Sequence, residues 1–331
     1  MPLPTAFTRR FGIEHPIVQA GMRGVSPDLA AIVSGAGALG TLPGSGVTPD
    51  AFEANIARLA GLTSRPFSLN LMTFPWAPHW EQNLDVAFQA RPGSVTVSFG
   101  DPIPTLARFK ATGIAVIVQV QDLETARRAL ASGADAIIVQ GTEGGGHTGR
   151  RGTLSFAAQV LELPGDTPIL VAGGIANGRG LAAALAMGAA GVVMGTRFKA
   201  TNEFAASAEH KQAMLDSDGS NTFYDPLMDT ARGGRWPNGV AGRVLRNHFT
   251  EEWEGRESEL AAEVAKFEDP LRWIAEYGTT PDRQLNWAGE ASGLVHELLP
   301  AAEVVTRTVA EAEAWLANAS RLVTTNQDVT P

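Results

Sequence analysis

The chain of 331 residues contains no cysteine. Disulfides, thiolate catalysis, iron–sulfur clusters and cysteine zinc sites are excluded with it. The absence fits a reducing compartment, and the N-terminus, MPLPTAFTRRFGIEHP, lacks the apolar core of a signal peptide, so a cytoplasmic protein is expected. No stretch approaches about 18 uninterrupted apolar residues, so no membrane span is expected. Basic runs are missing too. With a net charge of −9 and no block of Lys and Arg, nucleic acid is not an expected partner, because neutralising phosphates takes clustered cations. The histidines show no H-x-H or H-E-x-x-H spacing, so no metal is expected. There is no G-x-S-x-G nucleophile elbow.

Glycine is abundant, at 36 residues, and many glycines directly follow apolar runs, where loops turn tightly or approach a ligand. Eight such runs stand at residues 16–22, 38–42, 66–72, 94–99, 114–120, 136–140, 168–173 and 191–195. Their spacing is that of one βα unit. AVIVQV, AIIVQ, ILVAGG and GVVMG are nearly continuous in apolar residues, which marks strands buried on both faces. Helix formers fill the stretches between, as in TARRALAS and GLAAALAM. The phrases GADAIIVQG and GAAGVVMGT repeat one unit, a glycine that ends a helix and then a buried strand. Eight units favour a (β/α)8 TIM barrel over a doubly wound sheet, which stays open as the alternative.

The pattern stops after Ala200. Residues 201–291 show no buried-strand phrase and hold acidic, Trp-containing stretches such as 248–267, with a Gly-, Arg- and Pro-rich loop at 231–242. They are expected to form a smaller, mainly helical second domain, with residues 1–200 and 292–331 forming the barrel. Its apolar, Trp-containing surface would suit a homodimer. Residues 301–322 read as the barrel's last helix and the closing TTNQDVTP as a frayed tail.

The G-x-G-x-x-G match at 35–40 has the wrong context for a dinucleotide site. Its glycines follow a helix-like stretch and run into a strand, so Gly35 or Gly37 is expected to end a helix. More informative is 139–152, VQGTEGGGHTGRRG, directly after a buried strand and so at the barrel's C-terminal face. Its glycines let backbone approach a planar ligand, and His147 among them suits proton exchange near neutral pH. Residues 171–180 (VAGGIANGRG) and 193–198 (VMGTRF) end the next two strands. Such loops, with a helix N-terminus beside them, bind phosphate in many barrels. Asn70 within an apolar strand, and Gln119 and Gln140 at strand ends, are either structural bridges or ligand contacts; three amides at one barrel mouth would suit a flavin or purine edge.

Together the segments PIVQAGM, VQGTEGGGHTG, VAGGIANGRGLAAALAMGA and VMGTRFKATNE resemble the nitronate monooxygenases, formerly 2-nitropropane dioxygenases. The resemblance covers roughly residues 10–205. It implies an FMN-dependent, two-domain barrel that oxidises alkyl nitronates or nitroalkanes with O2 to a carbonyl compound and nitrite. It implies His147 as catalytic base and FMN contacts at Ala20, Gly21, Met22, Asn70, Gln119, Gln140, Gly144 and Gly145. Gly173, Gly174, Val193, Met194, Gly195 and Thr196 would hold the phosphate. Departures from the family pattern are Gly21 for a usual proline, Gly144 for a usual alanine, Asn177 for a usual aspartate, and the short turn SFGDP. Relatives on this framework reduce quinones or enoyl thioesters with NAD(P)H, which is the alternative. The glycine loops alone would also serve a sugar-phosphate isomerase or lyase.

Overall fold

The computed structural model describes residues 3–74, 78–234, 236–237 and 239–321. Its strands in chain order are β1 Ile17–Gln19, β2 Gly40–Pro43, β3 Phe67–Thr73, β4 Ser94–Gly100, β5 Ala115–Val120, β6 Ala136–Gln140, β7 Gly146–Thr148, β8 Ile169–Ala172, β9 Gly191–Met194, β10 Thr222–Asp225 and β11 Ala241–Leu245. Eight of them form a parallel sheet in the order β1-β9-β8-β6-β5-β4-β3-β2. A bridge between Val18 and Leu39 joins its ends. Gln19 N–H donates to Leu39 O at 3.0 Å, and Leu39 N–H donates to Ile17 O at 2.9 Å. With helices between the strands, the ring is the expected (β/α)8 barrel.

The run AIIVQ shows why these strands read as continuously apolar. Ala136 and Ile138 belong to an interior cluster with Val18, Leu39, Leu170 and Val193, while Ile137 and Val139 pack with the surrounding helices. Neighbouring residues thus bury opposite faces. The helix Ala6–Phe11 adds Phe7 and Phe11 to the interior cluster, and Thr5 Oγ1 donates to Ala190 O at 2.7 Å, just before β9, so this helix closes the N-terminal end. The decoy glycines serve packing. Gly35 ends the helix Pro27–Gly35, Gly37 takes a φ of +86°, and at Gly40 a Cβ would fall 2.0 Å from the Ala30 carbonyl oxygen.

Residues 201–291, which show no buried-strand phrase in the sequence, nevertheless hold two short strands. They contain helices Ala208–Leu215, Leu227–Arg232, His248–Trp253, Glu257–Val264 and Pro270–Tyr277, but also β10 and β11. Strand β11 pairs antiparallel with β10 and with β7, so the run expected as a loop after β6 is partly strand. AGRVL hides its strand behind an arginine. Arg243 is buried, with Nε donating to Thr142 O at 3.0 Å and Nη1 to Thr222 Oγ1 at 2.8 Å. The helical run at 248–267 is two helices, broken at Gly255 with a φ of +74°. This segment buries its own apolar cluster, built on Phe223, Leu227, Met228, Phe249, Trp253 and Trp273.

The last helix, Ala301–Ser320, packs on Gly178–Ala186 so closely that a Cβ on Gly178 would lie 2.3 Å from Glu311 Cβ. The tail 324–331, expected to fray, lies outside the described residues. No helix among the described residues is long and apolar enough to cross a membrane.

Candidate active site

The barrel's C-terminal mouth gathers the sequence-selected residues, but in unequal roles. His147 sits on β7, held by pairing with Gly242 of β11. Its Nε2 lies 2.6 Å from Asp229 Oδ1, with side chains 10% and 8% exposed. Asp229 lies on helix Leu227–Arg232, which the sequence did not mark. A carboxylate only accepts hydrogen bonds, so Nε2 carries a proton, and Nδ1 is the ring nitrogen without a hydrogen-bond partner among the described residues. Trp236 lies flat on the imidazole, with centroids 3.6 Å apart and planes 7° apart, while Trp287 tilts against it at 5.1 Å. The Trp236 ring meets the edges of Phe74 and Phe99 at 4.9 and 4.8 Å. Phe99 holds a left-handed φ of 60°, uncommon for a bulky residue. Two indole rings thus pack on His147, one stacked and one tilted.

The amides form a network across adjacent strands. Gln119 Nε2 and Gln121 Nε2 both donate to Gln140 Oε1, at 2.9 and 2.8 Å. Gln140 Nε2 and Gln119 Oε1 have no hydrogen-bond partner among the described residues. Asn70 Nδ2 donates to Gly21 O at 2.8 Å, which ties the end of β1 to β3.

The glycines divide by what a side chain would meet. At Gly21 a Cβ would lie 2.3 Å from Asn70 Cβ, at Gly145 2.5 Å from Gly289 N, and at Gly173 2.7 Å from Thr153 Oγ1. Protein packing alone accounts for these three. At Gly144, Gly174 and Gly195 the nearest protein atoms would stand 3.2, 3.5 and 3.7 Å away, a tight contact at the first and ordinary contacts at the other two, with no backbone collision. Gly195 faces Ala20 Cβ and Met22 Sδ. Val193 and Met194 end β9 inside the core, and Ala20 N–H donates to Met194 O at 3.0 Å. Thr196 Oγ1 is engaged by Gly289 N–H at 3.0 Å.

The helix N-terminus expected to help hold phosphate is already capped. Asn177 Oδ1 accepts from Gly180 N–H at 3.2 Å, and Glu311 Oε2 from Gly178 N–H at 2.9 Å. A carboxylate there competes with an anion. Glu143 points away from a catalytic role, because its carboxylate takes the Thr153 N–H at 2.9 Å and so caps helix Thr153–Leu161.

Behind the site lies Lys199, the last residue of the short helix Thr196–Lys199 and only 7% exposed. Its Nζ donates to Asn286 Oδ1 at 2.6 Å and to Trp287 O at 2.9 Å. Burial pushes its ammonium down to about 7.

The family model for nitronate monooxygenase matches residues 5–75 and 72–311. A (3aS,4S,5R,7aS)-5-hydroxy-7a-methyl-1-oxo-octahydro-1H-indene-4-carboxyl-CoA dehydrogenase of Rhodococcus jostii is 41% identical over 203 residues, covering 61% of this chain and 56% of that protein. The chain thus spans little more than half the length of that relative. A nitronate monooxygenase of Pseudomonas aeruginosa is 32% identical over 92% of this chain and 98% of its own. Among solved structures, nitroalkane oxidase from Streptomyces ansochromogenes is 31% identical and superposes with a TM-score of 0.80 over 96% of this chain and all of its own. All three are oxidoreductases by name. A match that runs from the first barrel helix through most of the last places this chain in the nitronate monooxygenase family.

Proposed function

We propose that the chain is an FMN-dependent oxidoreductase that converts alkyl nitronates and nitroalkanes with O2 into a carbonyl compound and nitrite. The observation that carries this reading is a histidine with one nitrogen fixed by Asp229 and the other without a hydrogen-bond partner among the described residues, at a barrel mouth whose strand-end turns carry Gly144, Gly174 and Gly195. The donor set fits a flavin. Gln140 Nε2 and Gln119 Oε1 offer one donor and one acceptor to a ring edge that presents both. Backbone N–H groups at Gly174 and at Gly195–Thr196 would hold the phosphate, and Met22 would pack on the ring. When bound, FMN would supply the electron acceptor that no side chain of this protein provides. On this reading residues 1–200 and 292–331 hold the cofactor, and a second domain, 201–291, contributes Asp229 and the aromatic walls.

The protein's own work is proton removal and exclusion of water. A neutral nitroalkane enters at the edge of His147 and gives its Cα proton to Nδ1, which leaves a nitronate and an imidazolium. Asp229 stabilises the imidazolium through Nε2–H. The rings of Trp236, Trp287, Phe74 and Phe99 keep water from the face of the base. A nitronate has already lost that proton. His147→Ala should therefore cut nitroethane turnover by roughly 10²-fold or more while ethylnitronate turnover falls far less, with nitrite release as the measurement. Equal losses would overturn the base assignment.

The Rhodococcus relative, a dehydrogenase of a carboxyl-CoA compound, favours a second reading, an NAD(P)H-dependent flavin reductase of quinones or enoyl thioesters. Anaerobic mixing with NADH separates the two: rapid bleaching of the flavin band favours the reductase.

A further inference from the structure

Lys199 has a neighbourhood that hydrocarbon packing alone does not explain. Among the described residues it has no carboxylate partner, and its two acceptors are both neutral. Burying an ammonium is costly, and an apolar side chain of the same length would fill the space without that cost. What an apolar side chain cannot do is grip Asn286 and Trp287. Other bonds converge on the same short stretch. Thr196, from the same helix as Lys199, accepts from Gly289 N–H at 3.0 Å. Leu245 N–H of β11 donates to Asn286 O at 2.9 Å, and Asn286 Nδ2 to His210 O at 3.0 Å. His210 is the titratable neighbour whose field Lys199 reaches.

The stretch so held meets the His147 ring directly and also backs the turn that leads to it. The Trp287 ring stands 5.1 Å from the imidazole. The Gly289 backbone lies against Gly145, and Glu290 N–H donates to Glu143 O at 3.0 Å, both in the residues that lead into β7. We propose that Lys199 is a positioning residue for His147: from inside the barrel rim it fixes residues 286–289, so that Trp287 walls the imidazole and Gly289 backs the turn that delivers it. The effect on turnover rests on the reading of His147 as base; the effect on the 145–148 backbone does not.

The test compares flavin-loaded wild type, Lys199→Met and Lys199→Gln. Methionine keeps the length and removes the donors, whereas glutamine keeps a shorter donor. If His147 is mispositioned, Lys199→Met loses about tenfold or more of nitroethane turnover and less than about threefold of ethylnitronate turnover, because only the first needs the base. Lys199→Gln recovers part of the loss. Backbone hydrogen exchange at residues 145–148 quickens in Lys199→Met. If that variant does not fold, Lys199→Gln against wild type carries both readouts. Equal losses on the two substrates with unchanged exchange at 145–148 would overturn the proposal. If wild type oxidises neither substrate, the nitronate reading fails by itself and the exchange result alone decides whether Lys199 positions this strand.

Discussion

A carboxylate on one nitrogen of an imidazole decides which nitrogen is left to act. Asp229 does this for His147 at 2.6 Å, and an asparagine there would accept or donate equally well. Asp229→Asn therefore lets the ring take either tautomer and removes the stabilisation of the imidazolium. Nitroethane turnover should fall on the order of 10²-fold, with ethylnitronate much less affected, as read by nitrite release at saturating substrate. An unchanged nitroethane rate would mean that Asp229 only fills space. His147 is legible in the sequence because glycines crowd it at the end of an apolar run. Asp229 is not legible, because it stands 82 residues away on a short helix, in a phrase, PLMDTAR, that nothing distinguishes. Trp236, Trp287 and Phe99 are hidden for the same reason, since their roles exist only through contact. Among the glycines, sequence alone does not separate those in ordinary contact with side chains from those pressed against other backbone.

That separation gives a prediction at the level of elements. Gly144 and Gly145 are neighbours in the turn between β6 and β7, yet a Cβ on Gly144 would meet Thr148 Cγ2 at 3.2 Å, while one on Gly145 would meet the backbone of 288–289 at 2.5 Å. A methyl group can shift slightly, whereas two opposed backbones cannot part without moving β7. Gly145→Ala should cost about 1–3 kcal/mol or more and weaken FMN uptake, whereas Gly144→Ala should stay within about 1 kcal/mol of wild type. Urea denaturation and flavin titration check both. The eight barrel strands are readable because burial on both faces removes polar residues from them. The strands GHT, TFYD and AGRVL are not, because each is short and mixed, and the arginine in the last finds its partners only in the folded protein. The capped N-terminus of Gly178–Ala186 is missed likewise, since Glu311 reaches it from the far end of the chain.

For the molecule as a whole, the buried lysine ties stability to pH. The ordinary value for Lys199 is 10.5, and burial lowers it to about 7 in the folded chain. Between those values the unfolded chain holds a proton that the folded chain has released. Stability from this group is then fully present above 10.5, declines as the pH falls, and is gone below about 7. Its contribution rises with pH across that window by at most about 1.4 kcal/mol per pH unit. Denaturation midpoints at pH 6.5, 8 and 9.5 should show the rise in wild type and a flatter line in Lys199→Met. A wild-type slope that survives the substitution would assign the effect to other groups.

The pairing of β7 with β11 separates two kinds of failure. The strand that carries His147 pairs with a partner more than ninety residues further along the chain. None of the eight barrel strands depends on that pairing for its own hydrogen bonds. Partial opening of residues 201–291 would release the histidine and its carboxylate while the barrel stays intact. A population damaged by heat or mutation can therefore pass most tests of being folded and still be inert, so soluble yield is a poor proxy for competence in this protein.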